Sequence, residues 1–179
     1  MAKPRLVDSP VGKQLLAALD YDPATGIFTW RYRPDRTVQW NGKWAGKPAG
    51  SVDTSRSSSG ISIRISRRHY KAHRIAWRII YGKWPLEDID HINGDPHDNR
   101  IENLRLATRT QNSGNMRLAR HNTSGFKGVT WAKKPERWQA QIKCHGNHYF
   151  LGHFDTPEEA HAAYCQAALR LYGEFARYK

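Results

Sequence analysis

A cluster of polar side chains between residues 88 and 112 contains the groups that metal-assisted phosphodiester chemistry requires. The segment contains carboxylates, among them Asp90, the imidazole of His91, and several amides, among them Asn112. A hard divalent cation such as magnesium takes oxygen ligands, and one carboxylate plus one amide oxygen would leave positions for phosphate oxygens and water. A neutral histidine beside the ion could accept a proton from the attacking water, because its usual pKa of about 6.5 leaves it mostly deprotonated at neutral pH. These are the parts of a one-metal phosphodiesterase, although an Asp-His pair alone could also be a capping or surface pair.

Two short strands and a helix are predicted to hold this cluster. Residues 88–91 have the pattern of a strand, 94–96 that of a turn, and 104–106 that of a second strand. Thr108 is a typical N-cap for the helix that would carry Asn112. The residues expected to serve only the turn are Asn93, His97 and Asn99. The chain order therefore predicts a β-β-α unit.

This unit resembles the HNH, or ββα-metal, nuclease motif of phage and intron-encoded homing endonucleases. His91, Asn103 and Asn112 occupy its three named positions, with 12 residues from the first to the second and 9 from the second to the third. The match covers about residues 73–116, and the upstream helix around 72–77 also resembles this subfamily. The third position is Asn rather than His, a substitution that is common among homing and CRISPR-associated members.

The resemblance implies a role for each of these residues. Asp90 and Asn112 would bind the metal, with one ion per active site. His91 would be the general base, and Asn103 would hydrogen-bond across the intervening loop to orient it. An amide oxygen favours magnesium or manganese over zinc, and His73 is expected to be a helix-start or core residue rather than a ligand. The arginines that could contact the scissile phosphate or stabilise its extra charge are Arg105 and Arg109.

Positive charge is concentrated before the motif. The 179 residues include 29 Lys and Arg against 16 Asp and Glu, a net charge of +13. Residues 54–86 interleave basic side chains with Tyr and Trp and contain no acid, a pattern that suits a phosphate backbone better than a solvated helix face. A field of this sign attracts nucleic acid or an anionic membrane, and a solvated basic surface is the plainer alternative. The candidate DNA contacts in this stretch are Arg64, Arg67, Arg68 and Lys71.

The residues before the motif are predicted to form a small β-rich region. Ile61, Ile63 and Ile65 alternate with polar residues, which places them on the buried face of a strand. Residues 41–60 are rich in Gly and Ser and are predicted as a loop between strands. The other predicted elements are a helix from Val11, a strand at 27–30, a turn near 67–68, a strand at 70–72 and a helix at 73–81.

The chain after residue 124 is predicted to form three strands and one helix. Gly146-Asn147 has the composition of a tight hairpin turn. Thr156 is the predicted N-cap of the helix, Pro157 takes its first position, and Gly173 ends it. The predicted strands are 126–131, 137–144 and 149–154. The helix face expected to lie on the sheet carries Ala160, Ala163, Tyr164, Ala167, Ala168 and Leu171.

This module resembles the APETALA2, or ethylene-response-factor, DNA-binding domain known from plants and found fused to phage HNH nucleases. The segments that carry the resemblance are 125–129, 138–143, 149–152 and 158–164. Such a sheet enters the major groove, where Gln141 could pair with adenine and Lys143 with guanine or phosphate. Thr130 and Ala132 replace arginines of the plant pattern, so the plant target sequence is not implied. The expected DNA contacts are Lys127, Thr130, Trp131, Gln141, Lys143 and His148, whereas Trp138 and Phe150 could contact DNA or pack in the sheet.

These patterns predict an α+β protein. A small N-terminal β-rich region leads into a ββα-metal nuclease core, and a three-stranded antiparallel sheet packed on one C-terminal helix follows. The predicted boundaries are 1–116 for the β-rich region and nuclease domain, 117–124 for a linker and 125–179 for the DNA-binding domain.

The predicted function is that of a homing-type endonuclease that nicks or cuts double-stranded DNA with Mg²⁺ or Mn²⁺. One copy of the active site implies one strand cut per binding event, so a monomer or weak dimer is expected. The apolar runs are too short to span a bilayer and the N-terminus lacks a signal-peptide core. A cytoplasmic protein of a bacterial or phage-infected host cell is therefore expected, with no membrane partner and no small-molecule cofactor. The alternatives are a non-catalytic DNA-binding regulator and an RNA nuclease.

Overall fold

The computed structural model describes residues 10–53, 60–119 and 121–178, and the chain divides into two compact units. The first unit is Met1–Leu106 and the second is Ala107–Lys179. Residues 54–59 of the predicted loop and Arg120 of the predicted linker lie outside the described residues. Within the described ranges, no helix is long and apolar enough to cross a membrane. The division between units falls before the linker that the sequence predicts.

Short helices and small sheets make up the first unit. Strands β1 and β2 form one antiparallel pair, and β3, β4 and β5 form an antiparallel sheet in that order. Strands β6 and β7 form a further two-stranded sheet. The elements are α1 (Pro10–Ala18), β1 (Leu19–Tyr21), β2 (Phe28–Trp30), α2 (Val38–Trp44), β3 (Ser51–Val52), β4 (Ile61–Ile65), β5 (Arg68–Lys71), α3 (Ala72–Tyr81), β6 (Asp88–His91) and β7 (Leu104–Ala107).

The core of the first unit includes one face of β4 and one face of α3. Ile63 and Ile65 are buried, which confirms the alternation expected for this strand. Helix α3 buries residues at the i, i+3 and i+4 spacing of an amphipathic helix. Its buried residues are Ala72, Ile75 and Ala76. The strand and the helix thus join one apolar cluster with Leu15, Leu19 and Phe28.

Helix α2 lies partly where the sequence predicts a loop. The Thr37 side-chain oxygen accepts a hydrogen bond from the Trp40 N–H at 3.1 Å. The buried side chain of Asn41 accepts from the Arg33 N–H at 2.8 Å and donates to the Arg33 carbonyl at 2.8 Å. A helix of seven residues that contains Gly42 has little intrinsic stability. The Thr37 cap and the Asn41 amide therefore stabilise this helix. Its sequence has no helical spacing of apolar residues from which it could be predicted.

The turn between β4 and β5 falls at Ser66 and Arg67, one position before the predicted turn. Both residues have a positive φ, 49° and 66°, and Ile65 pairs directly with Arg68. A two-residue loop with both φ angles positive matches the right-handed twist of an antiparallel hairpin.

The second unit is a three-stranded antiparallel sheet packed on one helix, which confirms the predicted fold class. The strand order is β10-β9-β8. Both helices of the unit begin with a capping box, formed by Thr108 with Gln111 and by Thr156 with Glu159. The elements are α4 (Arg109–Gly114), β8 (Val129–Ala132), β9 (Arg137–Cys144), β10 (Asn147–Phe154) and α5 (Pro157–Tyr172).

Helix α5 packs a face of alanines and two tyrosines on the sheet. The prediction that Leu171 lies on this face is wrong, because Leu171 is 39% exposed and Tyr172 is buried in its place. The buried row runs at i+4 steps from Tyr164 through Ala168 to Tyr172. The Tyr172 hydroxyl also donates a hydrogen bond to the carbonyl of Lys143. The buried residues of α5 are Ala160, Tyr164, Ala167, Ala168 and Tyr172.

The hairpin between β9 and β10 turns at His145-Gly146, rather than at the predicted Gly146-Asn147. Their φ angles are 51° and 84°, and Asn147 already pairs with Cys144. Sequence composition locates a tight turn of this kind but does not fix its register, because Gly and Asn both tolerate positive φ.

Gly128 permits close packing of the segment before β8 on helix α5. Its φ is +76°, and an added Cβ would lie 2.0 Å from Cδ2 of the Tyr164 ring. No side chain can occupy that space unless Tyr164 moves. The glycine therefore sets how near the helix lies to the sheet.

Candidate functional site

Asp90 and His91 end strand β6 in a buried position. Asp90 is 3% exposed and His91 is 9% exposed. Arg105 on β7 donates from Nε to Asp90 Oδ2 at 2.9 Å. A buried carboxylate needs a compensating positive group, and Arg105 supplies one here. Arg105, predicted as a phosphate contact, therefore lies against the proposed metal ligand.

The His91 imidazole lies between an amide and a second imidazole. Its Nε2 is 3.5 Å from Oδ1 of Asn99, and its ring lies edge-on to that of His73, with the centroids 5.1 Å apart. Burial lowers the pKa of His91, although the Asn99 hydrogen bond and the Asp90 charge oppose that effect. Burial, followed by the charge of His91, lowers the pKa of His73 to about 3. Both rings are therefore neutral at pH 7.

Asn99, predicted as a turn residue, is 1% exposed and is part of the site. Besides its contact with His91, its amide donates to the His97 carbonyl at 3.1 Å. Its own carbonyl accepts from the Tyr21 hydroxyl at 2.8 Å. Gly26 packs on the same backbone, because an added Cβ there would lie 2.6 Å from the Asn99 carbonyl carbon. These supports come from residues remote in sequence, so the local spacing alone gave no sign of this role.

Asn103 fastens the loop that follows His91. Its Oδ1 accepts from the Asn93 N–H at 2.9 Å, and its Nδ2 donates to Asn93 Oδ1 at 3.1 Å and to the Asp98 carbonyl at 2.8 Å. Its own carbonyl accepts from the Ile92 N–H at 2.9 Å. These bonds cross the loop, and they join Asn103 to loop residues rather than to the His91 ring. Any effect of Asn103 on His91 therefore passes through this loop.

Asn112 lies on α4 in the second unit and is half-buried. Its N–H donates to the Thr108 carbonyl at 2.9 Å. As donors, an amide oxygen and the Asp90 carboxylate match the preference of Mg²⁺ and Mn²⁺ for oxygen. Among the described residues, no three His, Cys, Asp or Glu side chains are grouped to hold a metal ion. Oxygen donors of this kind suit a hard cation that keeps water and phosphate ligands better than they suit a closed zinc site.

The predicted basic contacts of the first unit are not equivalent. Arg64, Arg67 and Arg68 are exposed around the β4–β5 hairpin. Lys71 instead donates to Asp53 Oδ2 at 2.7 Å and is partly buried. Asp53 immediately precedes the acid-free stretch, so the sequence pattern concealed this partner.

One face of the β8–β10 sheet lies opposite α5 and carries most of the predicted DNA contacts of the second unit. The strand register pairs Thr130 with Gln139, Lys143 with His148, and Gln141 with Phe150. Val129, Ala140 and Ile142, which alternate with these residues, are buried. We call this set the free face. Its members are Thr130, Gln139, Gln141, Lys143, His148, Phe150 and His153.

Lys127 and Trp131 are placed differently from their predicted role. Trp131 pairs with Trp138 in the register and their rings contact edge to face, with centroids 5.1 Å apart. Strand alternation puts both on the α5 side of the sheet. The Lys127 ammonium donates to the carbonyls of Gly114, Met116 and Arg177 at 3.0, 2.5 and 2.9 Å. Burial lowers the pKa of Lys127 to about 8.

The sequence matches two family profiles, one described as HNH endonuclease over residues 70–113 and one as AP2 domain over residues 124–174. Protein 3.8 of Escherichia phage T7 is 37% identical over 91 residues, which are 51% of this chain and 74% of that protein. No solved structure matches the chain significantly.

Two further relatives are similar to about half of this chain or less. A protein described as an uncharacterized HNH endonuclease from Acanthamoeba polyphaga mimivirus is 35% identical over 99 residues, 55% of this chain and 50% of that protein. APETALA2-like protein 2 of Oryza sativa subsp. indica is 37% identical over 54 residues, 30% of this chain and 12% of that protein. The two family profiles divide between the segment that contains β6, β7 and part of α4 and the sheet with α5.

Proposed function

We propose that this chain, which belongs to the HNH endonuclease family and carries an AP2 domain, is a metal-dependent endonuclease that nicks or cuts double-stranded DNA at a recognised site, as homing endonucleases do. The observation that carries the proposal is the buried pair at the end of β6. The Asp90 carboxylate is buried, and the next residue in the sequence is His91, whose ring is also buried and is neutral. A scaffold has no need of this combination in a buried position.

Asp90 and, by its position in the motif, Asn112 would hold one Mg²⁺ or Mn²⁺ ion. Such an ion, when bound, polarises the phosphate and offsets the charge that develops on its oxygens. Arg105 forms an ion pair with Asp90. It could keep this pair while Asp90 binds the ion, or its guanidinium could bind the phosphate instead. The donor chemistry supports the choice of a hard cation.

His91 would take the proton from the attacking water. This role requires an imidazole that is neutral before the reaction, and burial lowers the pKa of His91 in that direction. Asn103 would hold the loop after His91 through its bonds to Asn93 and Asp98. The base is thereby kept in one orientation while the water approaches.

The AP2 domain would position the duplex for cleavage. Gln141 and Lys143 on the free face have the donors and acceptors that read base edges in the major groove. The exposed Arg64, Arg67 and Arg68 would bind phosphates independently of sequence.

The test is conversion of supercoiled plasmid to open circles by the purified chain with Mg²⁺. His91→Ala should abolish cleavage, whereas His97→Ala should not, because His97 is an exposed loop histidine. Retained cleavage in His91→Ala would contradict the base assignment. Binding of DNA without cleavage by the wild-type chain in either metal would favour a non-catalytic regulator instead.

A further inference from the structure

A basic groove of about 870 Å³ lies within the second unit, beside the free face. Helix α4 and the segment after it line one part, and the end of the β9–β10 hairpin lines another. Strand β8 pairs with residues 137–140 of β9, so the second half of β9 borders the groove. Arg109, Gln141, Lys143 and His148 in its lining already have expected phosphate or DNA contacts, whereas Arg117 and His145 have no assigned role.

The charge of the groove is of one sign. Arg109, Arg117 and Lys143 contribute exposed cations, and His145 and His148 are exposed beside them. Among the described residues that line the groove there is no Asp or Glu. None of the three cations forms an ion pair with another described residue. A concave surface with these properties is complementary to a polyanion.

The groove continues the free face. Gln141, Lys143 and His148 belong to both. A duplex whose bases are read at the free face would therefore bring one of its phosphate strands to the groove.

Contacts with Tyr172 and Lys127 hold the end of helix α4 against the rest of the second unit. Gly114 at its end lies so near Tyr172 that an added Cβ would be 2.6 Å from the ring. The Lys127 ammonium binds the carbonyls of Gly114 and Met116. The groove is therefore preformed in the described structure.

We propose that this groove binds the phosphate backbone of one strand, next to the base pairs that the free face reads. The inference rests on the proposed DNA-binding function and adds Arg117 and His145 to the contact surface. Because phosphates are the same at every position, the groove contributes affinity and register but little sequence discrimination. The segment between α4 and β8, which contains Arg117, is then a DNA-contact surface and not only a linker.

The experiment measures binding of the full chain without metal, by fluorescence anisotropy over a range of salt. The probes are a duplex selected by the wild-type chain from a random library and a scrambled duplex of the same composition. Arg109→Gln and Arg117→Gln should each lower the log–log salt slope by about 0.9 and weaken binding about five- to tenfold at about 0.1 M salt. The loss should be the same for both duplexes, so their affinity ratio stays constant.

The matched control is Arg170→Gln, an exposed arginine in the last turn of α5 outside the groove. Arg117→Lys should retain the wild-type slope, because the charge remains. The proposal is overturned if the groove variants bind as Arg170→Gln does or if the affinity ratio changes. If binding depends on the groove but the chain does not cleave DNA, this proposal stands and the nuclease function is rejected. If the chain cleaves DNA but binding does not depend on the groove, the nuclease function stands and this proposal is rejected.

Discussion

His91 is held by neutral groups, the amide of Asn99 and the ring of His73. Neither contact places a positive charge beside the imidazole. Both contacts restrict the orientation of the ring. The Asn99 hydrogen bond also opposes the lowering of the His91 pKa by burial, so this amide acts on both the orientation and the charge of the base.

Replacing Asn99 should slow cleavage without weakening DNA binding. Asn99→Ala removes the Oδ1 that faces His91 Nε2, and a displaced base typically costs about 100-fold in rate. Single-turnover cleavage would measure the rate, and anisotropy the affinity. Asn147→Ala, at an exposed hairpin residue, serves as the control. A wild-type rate in Asn99→Ala would show that His91 needs no support from this amide.

The partly buried His73 should make the stability of the first unit depend on pH. Its pKa is lowered to about 3 by burial and by the charge of His91, whereas an unfolded histidine titrates near about 6.5. As the pH falls below about 6.5, the unfolded chain binds the proton first. The stability is therefore complete above that pH and decreases as the pH falls toward about 3.

His73→Phe should flatten this dependence. The wild-type free energy of unfolding should fall by up to about 1.4 kcal/mol per pH unit from this histidine, as measured by urea unfolding between about pH 7 and about pH 5. His69→Phe, at an exposed strand position, should keep the wild-type slope. Equal slopes in all three proteins would mean that His73 does not titrate with unfolding.

At the scale of elements, Lys127 joins the end of α4 to the sheet module. Its three carbonyl partners are Gly114 at the end of α4, Met116 just after the helix, and Arg177 after α5. A lysine used in this way stabilises the fold, whereas a lysine on the free face has its charge available to phosphate. The two roles predict opposite results for the same substitution.

Lys127→Met should lower the free energy of unfolding by about 1–3 kcal/mol, because three carbonyl groups lose a charged donor, while the salt slope of DNA binding stays unchanged. Lys143→Met should lower the salt slope by about 0.9 and leave stability nearly unchanged. Thermal unfolding and salt-dependent anisotropy on both variants make the comparison. Swapped results would restore Lys127 as a DNA contact.

Elements whose signals are local could be predicted from the sequence. Thr108 and Thr156 cap their helices through oxygens a few residues away, and both caps are confirmed. Strand alternation places Thr130 and Trp131 on opposite faces of the sheet, and their roles as DNA contacts stay predictions. The partner of Lys71 could not be predicted, because Asp53 meets it only after the sheet forms.

At the scale of the whole molecule, the number of active sites sets the products. One HNH motif per chain predicts that open circles accumulate before linear plasmid. A plasmid time course at several protein concentrations would separate the two products. Linear plasmid formed from the start, without open circles, would instead require two chains acting together.

The net charge of +13 predicts an anionic partner but not its location. In the second unit the strand register and α4 together place cations around one groove, a result of tertiary structure that no linear pattern contains. The site residues Asp90, His91 and Asn103 could be proposed from the resemblance of this segment to the HNH motif. Asn99 could not, because only the contacts from Tyr21 and Gly26 reveal that it is buried support.

The position of the boundary after Leu106 bears on how hybrid proteins could be made from this chain. A crossover within 117–124 would leave α4 without Tyr172 and Lys127, which pack against its end. A crossover at the Leu106–Ala107 peptide would carry Asn112 along with the sheet. If the second unit were fused to the catalytic part of another nuclease, the hybrid would carry Asn112 at the third position of the HNH motif. The first two positions of the motif would then come from the other nuclease and would have to function with Asn112.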